Sequence, residues 1–400
     1  MRCWAQFLSR IENLDKVTKG FREQFLQPFT PTPGETIYPD LYQKLIDDGT
    51  DRILEELMRY NEHRKELIRA CRDQIVVEDA RHDEALAFNT KIVGSDAGVN
   101  GVDLRSTYVP LYAAVAIVVE QGEIIEEPIF KPGEPEIWPN EIRTQERELL
   151  LSFKIQYQLT REAAEKWNPK YIVMDGAIVL HPRLDPGESS TEEYGNDYSD
   201  TIEAMVQLLE TCRRRSIPVV GFVKRTRLNT LCKELGFPQM RDTSLLSLIL
   251  KPGQYTRLEP RLAEGRAIAA CRKKARQLGF PQENINDITN IHSVYIRTGY
   301  STPFKLEVPE YCANRIAEVA SLLYTTSEED GIPFVIREAD EFARISATTS
   351  NIRTLTLFTK ALDLVKEEKM SPTDLDILAL QFGETWVLHE NQSWEGGLAK

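Results

Sequence analysis

Near residue 90 the spacing of apolar residues changes from helical to alternating, and that change sets the class of fold open to this chain. Before it, Ile46, Ile53, Leu54, Leu57, Leu67, Ile68, Cys71 and Ile75 recur between charged residues, the stripe of a long amphipathic helix within a helical segment spanning residues 1–85. After it, short apolar runs are separated by turn residues. Residues 90–96 read as a strand entering a glycine-rich turn at 94–101, residues 108–119 as a long apolar strand, and Gln121-Gly122 as a hairpin turn into a strand at 123–130. Beyond a proline-rich crossover at 131–139 come a helix over 140–166, a strand at 171–175, a helix over 200–215 and a strand at 218–223. Strands that alternate with helices pair in parallel. The expected class is therefore α/β, a mixed sheet that is antiparallel on one side, parallel on the other, and flanked by helices.

Further along, the pattern gives strands at 293–297, 304–308 and 333–336, and helices over 314–326, from about 338, and over 351–369. A last helix opens at Ser371-Pro372-Thr373-Asp374, with serine as cap and proline in the first turn. The expected organisation is a helical N-terminal extension (1–85), a sheet domain (86–345) and a C-terminal helical cap (346–400). Between the strand at 171–175 and the helix after it, residues 181–200 hold six acidic residues, one arginine and several Pro, Gly and Ser, which suits a mobile surface loop.

No apolar run approaches the eighteen or so residues of a membrane span. The opening MRCWAQFLSR has none of the regions of a secretory signal, and the six cysteines show neither CxxC nor a zinc-binding spacing with histidine. A cytoplasmic protein with free thiols is the expectation. There is no P-loop or GxGxxG motif, so any nucleotide hydrolysis belongs to a partner.

The formal net charge of −13 argues against a nucleic-acid partner, because phosphate repels an acidic surface. Its distribution argues the other way. Residues 213–276 contain 16 Lys/Arg against 4 Asp/Glu, a net +12, leaving −25 on the rest. Such asymmetry suits one face that meets a polyanion, although a solvated basic helix face gives the same count. Within the window, Arg213, Arg214, Arg215, Lys224, Arg225, Arg227, Arg272, Lys273 and Lys274 are the candidate phosphate contacts. Lys224 also stands just past a strand end, where it could reach a reacting phosphate or balance nearby carboxylates.

Asp96 and Asp175 each stand where a strand is expected to end, followed by small residues: Ala97-Gly98 and Gly176-Ala177. Paired strand-end carboxylates can gather hard oxygen ligands around magnesium or manganese, and they also fit ordinary turns, which Asp-Gly favours. Glu146 shares a helix face with Ile142, Leu150, Phe153 and Tyr157 and is expected to point inward, whereas Glu148 shares a face with Ser152 and is expected to be solvated. Three buried like charges require a cation. Asp340 is a fourth candidate, at the start of a late helix. Lys305 and Glu307, two apart in a strand, share a face and can pair with each other.

The order Asp96, Glu146, Asp175, Asp340 is similar to the ligand order of ribonuclease-H-like metal nucleases. From about Lys91 to Arg344 the chain resembles the NurA nucleases in IVGSDAGVNG, YIVMDGAIV, IPVVGFVKRTR followed by RDTSLLSLIL, PFKLEVPEY and GIPFVIREADEFARIS. The resemblance implies a ribonuclease-H-like fold and manganese-dependent exonuclease and endonuclease activity on DNA; the carboxylates themselves suit two divalent ions, manganese or magnesium. It implies action in DNA end resection and double-strand-break repair with a HerA-type hexameric ATPase, and a homodimer that threads DNA. By the same resemblance Asp96, Asp175 and Asp340 are metal ligands and Glu146 the helical glutamate. The chain departs from the family in reading Asp-Ala-Gly at its first motif, and in having Ile332 and Asp340 where the late motif commonly has tyrosine and histidine. A non-catalytic adaptor on the same fold, or an RNA-directed or integrase-type nuclease, are the alternatives.

Overall fold

The computed structural model describes residues 49–371, apart from 140, 142, 258–262 and 264, together with 375 and 378. The helix expected to open at Ser371 and the first 48 residues of the N-terminal segment lie outside the described residues. The chain divides into two compact units, one up to Leu67 and one from Ile68 onward. In the first, the described residues belong to helix α1 (Gly49–Arg72), which continues past the division.

Thirteen strands follow in chain order among the described residues: β1 (Val77–Asp79), β2 (Ile92–Val99), β3 (Val102–Asp103), β4 (Thr107–Val109), β5 (Tyr112–Glu120), β6 (Glu123–Ile124), β7 (Ile129–Pro132), β8 (Trp138–Pro139), β9 (Tyr171–Asp175), β10 (Val219–Val223), β11 (Gln254–Thr256), β12 (Ile291–Arg297) and β13 (Phe304–Pro309). Ten of them form one sheet in the order β1-β11-β12-β13-β10-β9-β2-β5-β6, with β7 also on β5, while β3-β4-β8 form a small second sheet. β2, β9 and β10 run parallel and every other pairing in the large sheet is antiparallel. The mixed sheet expected from the periodicity is present.

Eleven helices accompany the strands among the described residues: after α1 come α2 (Glu84–Phe88), α3 (Thr144–Trp167), α4 (Glu192–Arg214), α5 (Thr230–Glu234), α6 (Asp242–Ile249), α7 (Arg266–Gln277), α8 (Gln282–Thr289), α9 (Ile316–Thr326), α10 (Phe334–Ala343) and α11 (Ala347–Lys366). Apolar side chains of β5, β9 and β10 alternate between two cores. Ala114, Ile172, Met174 and Val219 pack with α3, α4, α7 and α8. Val115, Tyr171, Val173, Val220 and Phe222 pack with α9 and α10 on the other face. Central strands covered on both faces read as continuous apolar runs, which is why Ala113 to Val119 carries no polar residue.

Several boundaries differ from the sequence expectation. β2 does not end at Asp96 but runs through Gly94 and Gly98 to Val99, paired residue by residue with β5. The long strand breaks at Pro110, which has no amide proton for a ladder, and the strand after the hairpin splits into β6 and β7. The hairpin itself turns where expected, with positive φ at Gln121 (57°) and Gly122 (77°). Residues 77–79, placed in the helical extension, instead form β1 at the sheet edge against β11. Half of the acidic loop is helix: α4 starts at Glu192, capped by the Thr191 hydroxyl accepting from the Tyr194 amide, so Glu192 and Glu193 sit at its positive end. The strand expected at 333–336 is the first turn of α10, with Pro333 at its N-cap. No described helix is long and apolar enough to cross a membrane.

Candidate metal centre

The alternation along β2 decides what surrounds Asp96. Gly94, Asp96 and Gly98 point to one face of the sheet, and α10 lies directly on that face. A Cβ on Gly94 would collide with the carbonyl oxygen of Val335, and one on Gly98 with that of Ala343. Two missing side chains therefore let the helix backbone rest against the strand, with Asp96 between them. α10 buries Val335, Ile336, Ala339 and Ala343, which leaves Asp340 on its rim. β9 pairs in parallel with β2 and ends at Asp175, on the same face as Tyr171 and Val173. Its chain is turned away immediately by Gly176 at φ 96°. Lys224, one residue beyond β10, lies on that face with Val220 and Phe222.

These placements bring Asp96, Asp175 and Asp340 together, each offering an oxygen within 4.8 Å of the others. Nζ of Lys224 lies 2.6 Å from Oδ2 of Asp175 and 3.1 Å from Oδ2 of Asp340. Asp175 is almost enclosed, with 11% of its side chain exposed, whereas Asp340 is 59% exposed and opens the cluster to solvent. Burial first, then the charges of Asp175 and Asp340, push the Asp96 carboxyl up to about 8, against the amide of Ala97, which donates to its Oδ1 at 2.7 Å. Asp175 is raised by burial while Lys224 opposes the shift. Burial works against the Lys224 ammonium, but Asp175 and Asp340 outweigh it and hold its pKa above the ordinary value. Three hard oxygen donors forced together, one of them pushed toward its neutral form, fit a divalent cation as their missing partner.

A model of the NurA domain matches residues 90–345, 256 of the 400 residues. The chain belongs to the NurA family. The crystal structure of the NurA nuclease from Sulfolobus solfataricus superposes with a TM-score of 0.55 at 16% identity, covering 83% of this chain and 98% of that one. A second NurA structure gives 0.51 at 13%, covering 82% and 99%. A third, of NurA bound to dAMP and manganese, gives 0.50 at 13%, covering 76% and 94%. At these identities the likeness is one of fold. No curated protein matches the chain in sequence.

Of the four carboxylates named from the sequence, Glu146 stands apart from this NurA cluster. Its Oε1 lies 3.3 Å from Nε of Arg183, and Glu148, expected in solvent, is the buried one. Glu148 accepts from the Tyr108 hydroxyl and the Leu111 amide, both at 2.6 Å, and burial raises its pKa. The reason is that α3 is sandwiched. Its Leu150 backbone meets Thr201 of α4, while Glu148, Ser152, Gln156 and Thr160, at successive i+4 positions, are all buried toward the strands. A polar stripe reads as solvated unless its partners are known. Here they are the Ser95 hydroxyl, bonded to Thr160, and the carbonyl oxygens of Ser95 and Asp175, both reached by the Gln156 amide at 3.1 Å. Gln156 thus ties together the two strands that carry Asp96 and Asp175, a role that only the unusual i+4 run of polar residues could have signalled.

The basic residues do not form one surface. Arg225 and Arg227 are exposed just beyond Lys224. Arg213 and Arg214 instead pair with Glu210, Arg213 reaches Asp287, and Arg215 bonds Asn168, which precedes β9. That is the opposite end of the parallel strands from the carboxylates. Arg272 bonds Asn290, Lys274 pairs with Glu203, and Lys273 is exposed on α7.

Proposed function

We propose that this chain is a divalent-metal-dependent deoxyribonuclease that hydrolyses phosphodiester bonds, with Asp96, Asp175 and Asp340 as the protein's ligands for manganese or magnesium. The observation that carries the reading is the convergence of these three carboxylates and Lys224 in a chain of the NurA family. The NurA structure holding dAMP and manganese makes a nucleotide phosphate and this metal the natural pair for the site. A ribonuclease-H-like core is supported by the neighbouring strands β7-β5-β2-β9-β10, in which only β5 runs against the others. Two bound ions, completed by substrate phosphate, would supply an activated water and counter-charge for the leaving 3′ oxygen. Lys224 holds a phosphate oxygen at the cluster, and Arg225 and Arg227 hold the backbone beyond it without reading bases. Exposed Asp340 leaves that side open to a strand. The family relationship also motivates a homodimer, a HerA-type ATPase partner and a place in DNA end resection.

The test is degradation of linear DNA and RNA by the purified chain with manganese, with magnesium and with chelator, beside the Asp96→Asn and Asp175→Asn variants. Manganese-dependent DNA cleavage lost in both variants is expected. DNA binding without cleavage in either metal would overturn the reading in favour of an adaptor, and cleavage confined to RNA would move it to an RNA-directed nuclease.

A further inference from the structure

On the sheet face opposite the carboxylates, β13 carries two charged side chains that the proposed chemistry leaves unused. Lys305 and Glu307 are 6% and 3% exposed, and Nζ of Lys305 lies 2.6 Å from Oε1 of Glu307. Such a buried pair stabilises a fold no better than apolar side chains of the same volume. What distinguishes this pair is the second carboxylate oxygen, which accepts from the backbone amide of Val179 at 2.9 Å. Val179 is four residues past Asp175. The segment between them leaves β9 at Gly176, crosses the end of β10 and is held by two further hydrogen bonds. The Gly176 amide donates to the Phe222 carbonyl at 3.0 Å, and the Tyr157 hydroxyl donates to the Ile178 carbonyl at 2.9 Å. At Gly221, directly opposite Glu307 in register, a Cβ would sit 2.9 Å from Gly176 O and Ile178 N, so the crossing needs a glycine beneath it.

We propose that Glu307 is a positioning residue for Asp175: by holding the Val179 amide it fixes the turn through which the chain leaves Asp175, and so fixes where that carboxylate points. Lys305 is the counter-charge that lets the carboxylate stand in the sheet and aims its free oxygen at the turn. The inference rests on the reading of Asp175 as a metal ligand.

Two double variants separate positioning from simple packing. Lys305→Met with Glu307→Gln removes both charges and keeps an amide oxygen for Val179, whereas Lys305→Met with Glu307→Leu removes the acceptor as well. Manganese binding by calorimetry, thermal melting, and kcat and KM for DNA cleavage are measured on each full-length protein. The glutamine variant should keep wild-type manganese affinity, and the leucine variant should bind manganese about tenfold more weakly or worse, losing kcat rather than KM. A leucine variant that folds and binds manganese normally overturns the proposal, and so does a folded glutamine variant with weakened binding. If the wild-type chain binds no manganese, the metal reading fails separately. Amide exchange over residues 175–179 then decides: faster exchange in the leucine variant alone supports positioning, and unchanged exchange in both overturns it.

Discussion

Asp96 illustrates how a single carboxyl can weaken a fold and still serve it. With its pKa raised to about 8, the stability it allows is complete below its unfolded value near 4 and is lost as pH rises through about 8. The metal-free protein should therefore melt lower as pH climbs across that window. Asp96→Asn, which removes the titration, should melt above the wild type in chelator at about pH 9 and level with it at about pH 4, as calorimetric scans would reveal. Equal melting of the two proteins at both pH values would mean that the Asp96 carboxyl is not crowded by its neighbours. Lys224 has the converse effect, as an ammonium that bridges Asp175 and Asp340. Lys224→Met should lower the melting temperature in chelator and gain more from saturating manganese than the wild type does; a drop of equal size in both conditions would make the lysine a packing residue only. Asp96 and Asp175 were legible because small residues follow each of them. Glu146 was misplaced because Leu150 on its face meets α4, Phe153 and Tyr157 reach the turn after β9, and the stripe of the same helix that faces the strands is polar.

Among the elements, α10 depends on what β2 lacks. Gly94→Ala puts a methyl group against the Val335 carbonyl, a backbone atom that cannot swing away, so the helix must lift. An overpacked contact of this kind typically loses about 1–3 kcal/mol of stability. Because Asp340 rides on the lifted helix, manganese affinity should fall further than the same loss of stability at a distant site would cause; denaturant unfolding together with calorimetric titration would separate the two effects. Retained affinity in a destabilised Gly94→Ala protein would show that Asp340 is placed by something other than this contact. The sequence marked those glycines as a turn, since a Gly-rich stretch after a strand usually is one. What made it a strand was a helix arriving from residues 334–343. Phe334-Val335-Ile336 in turn looked like a strand because a short apolar run has no period of its own, and only the continuation to Ala339 and Ala343 at i+4 and i+8 from Val335 reveals the helical face.

Across the molecule, the count of charges along the chain was a sound guide to excess and a poor one to location. Folding sends Arg213, Arg214 and Arg272 to Glu210, Asp287 and Asn290, and leaves Arg225 and Arg227 exposed next to Lys224. Replacing Arg225 and Arg227 by alanine should weaken DNA binding on all sequences alike and flatten the log–log salt slope by about 1–2 units, whereas Arg213→Ala with Arg214→Ala should leave the slope alone. Fluorescence titrations across salt concentrations would measure both, and the opposite ranking would put the DNA path at the far end of the strands. The three carboxylates come from positions 96, 175 and 340, and the last is carried by α10, which rests on the glycines of β2. A chain still emerging from the ribosome, or one cut by a protease before residue 334, carries two of the three and no helix to bring the third. If the proposed chemistry needs all three carboxylates, unfinished or cut copies lack it, with no separate inhibitor required.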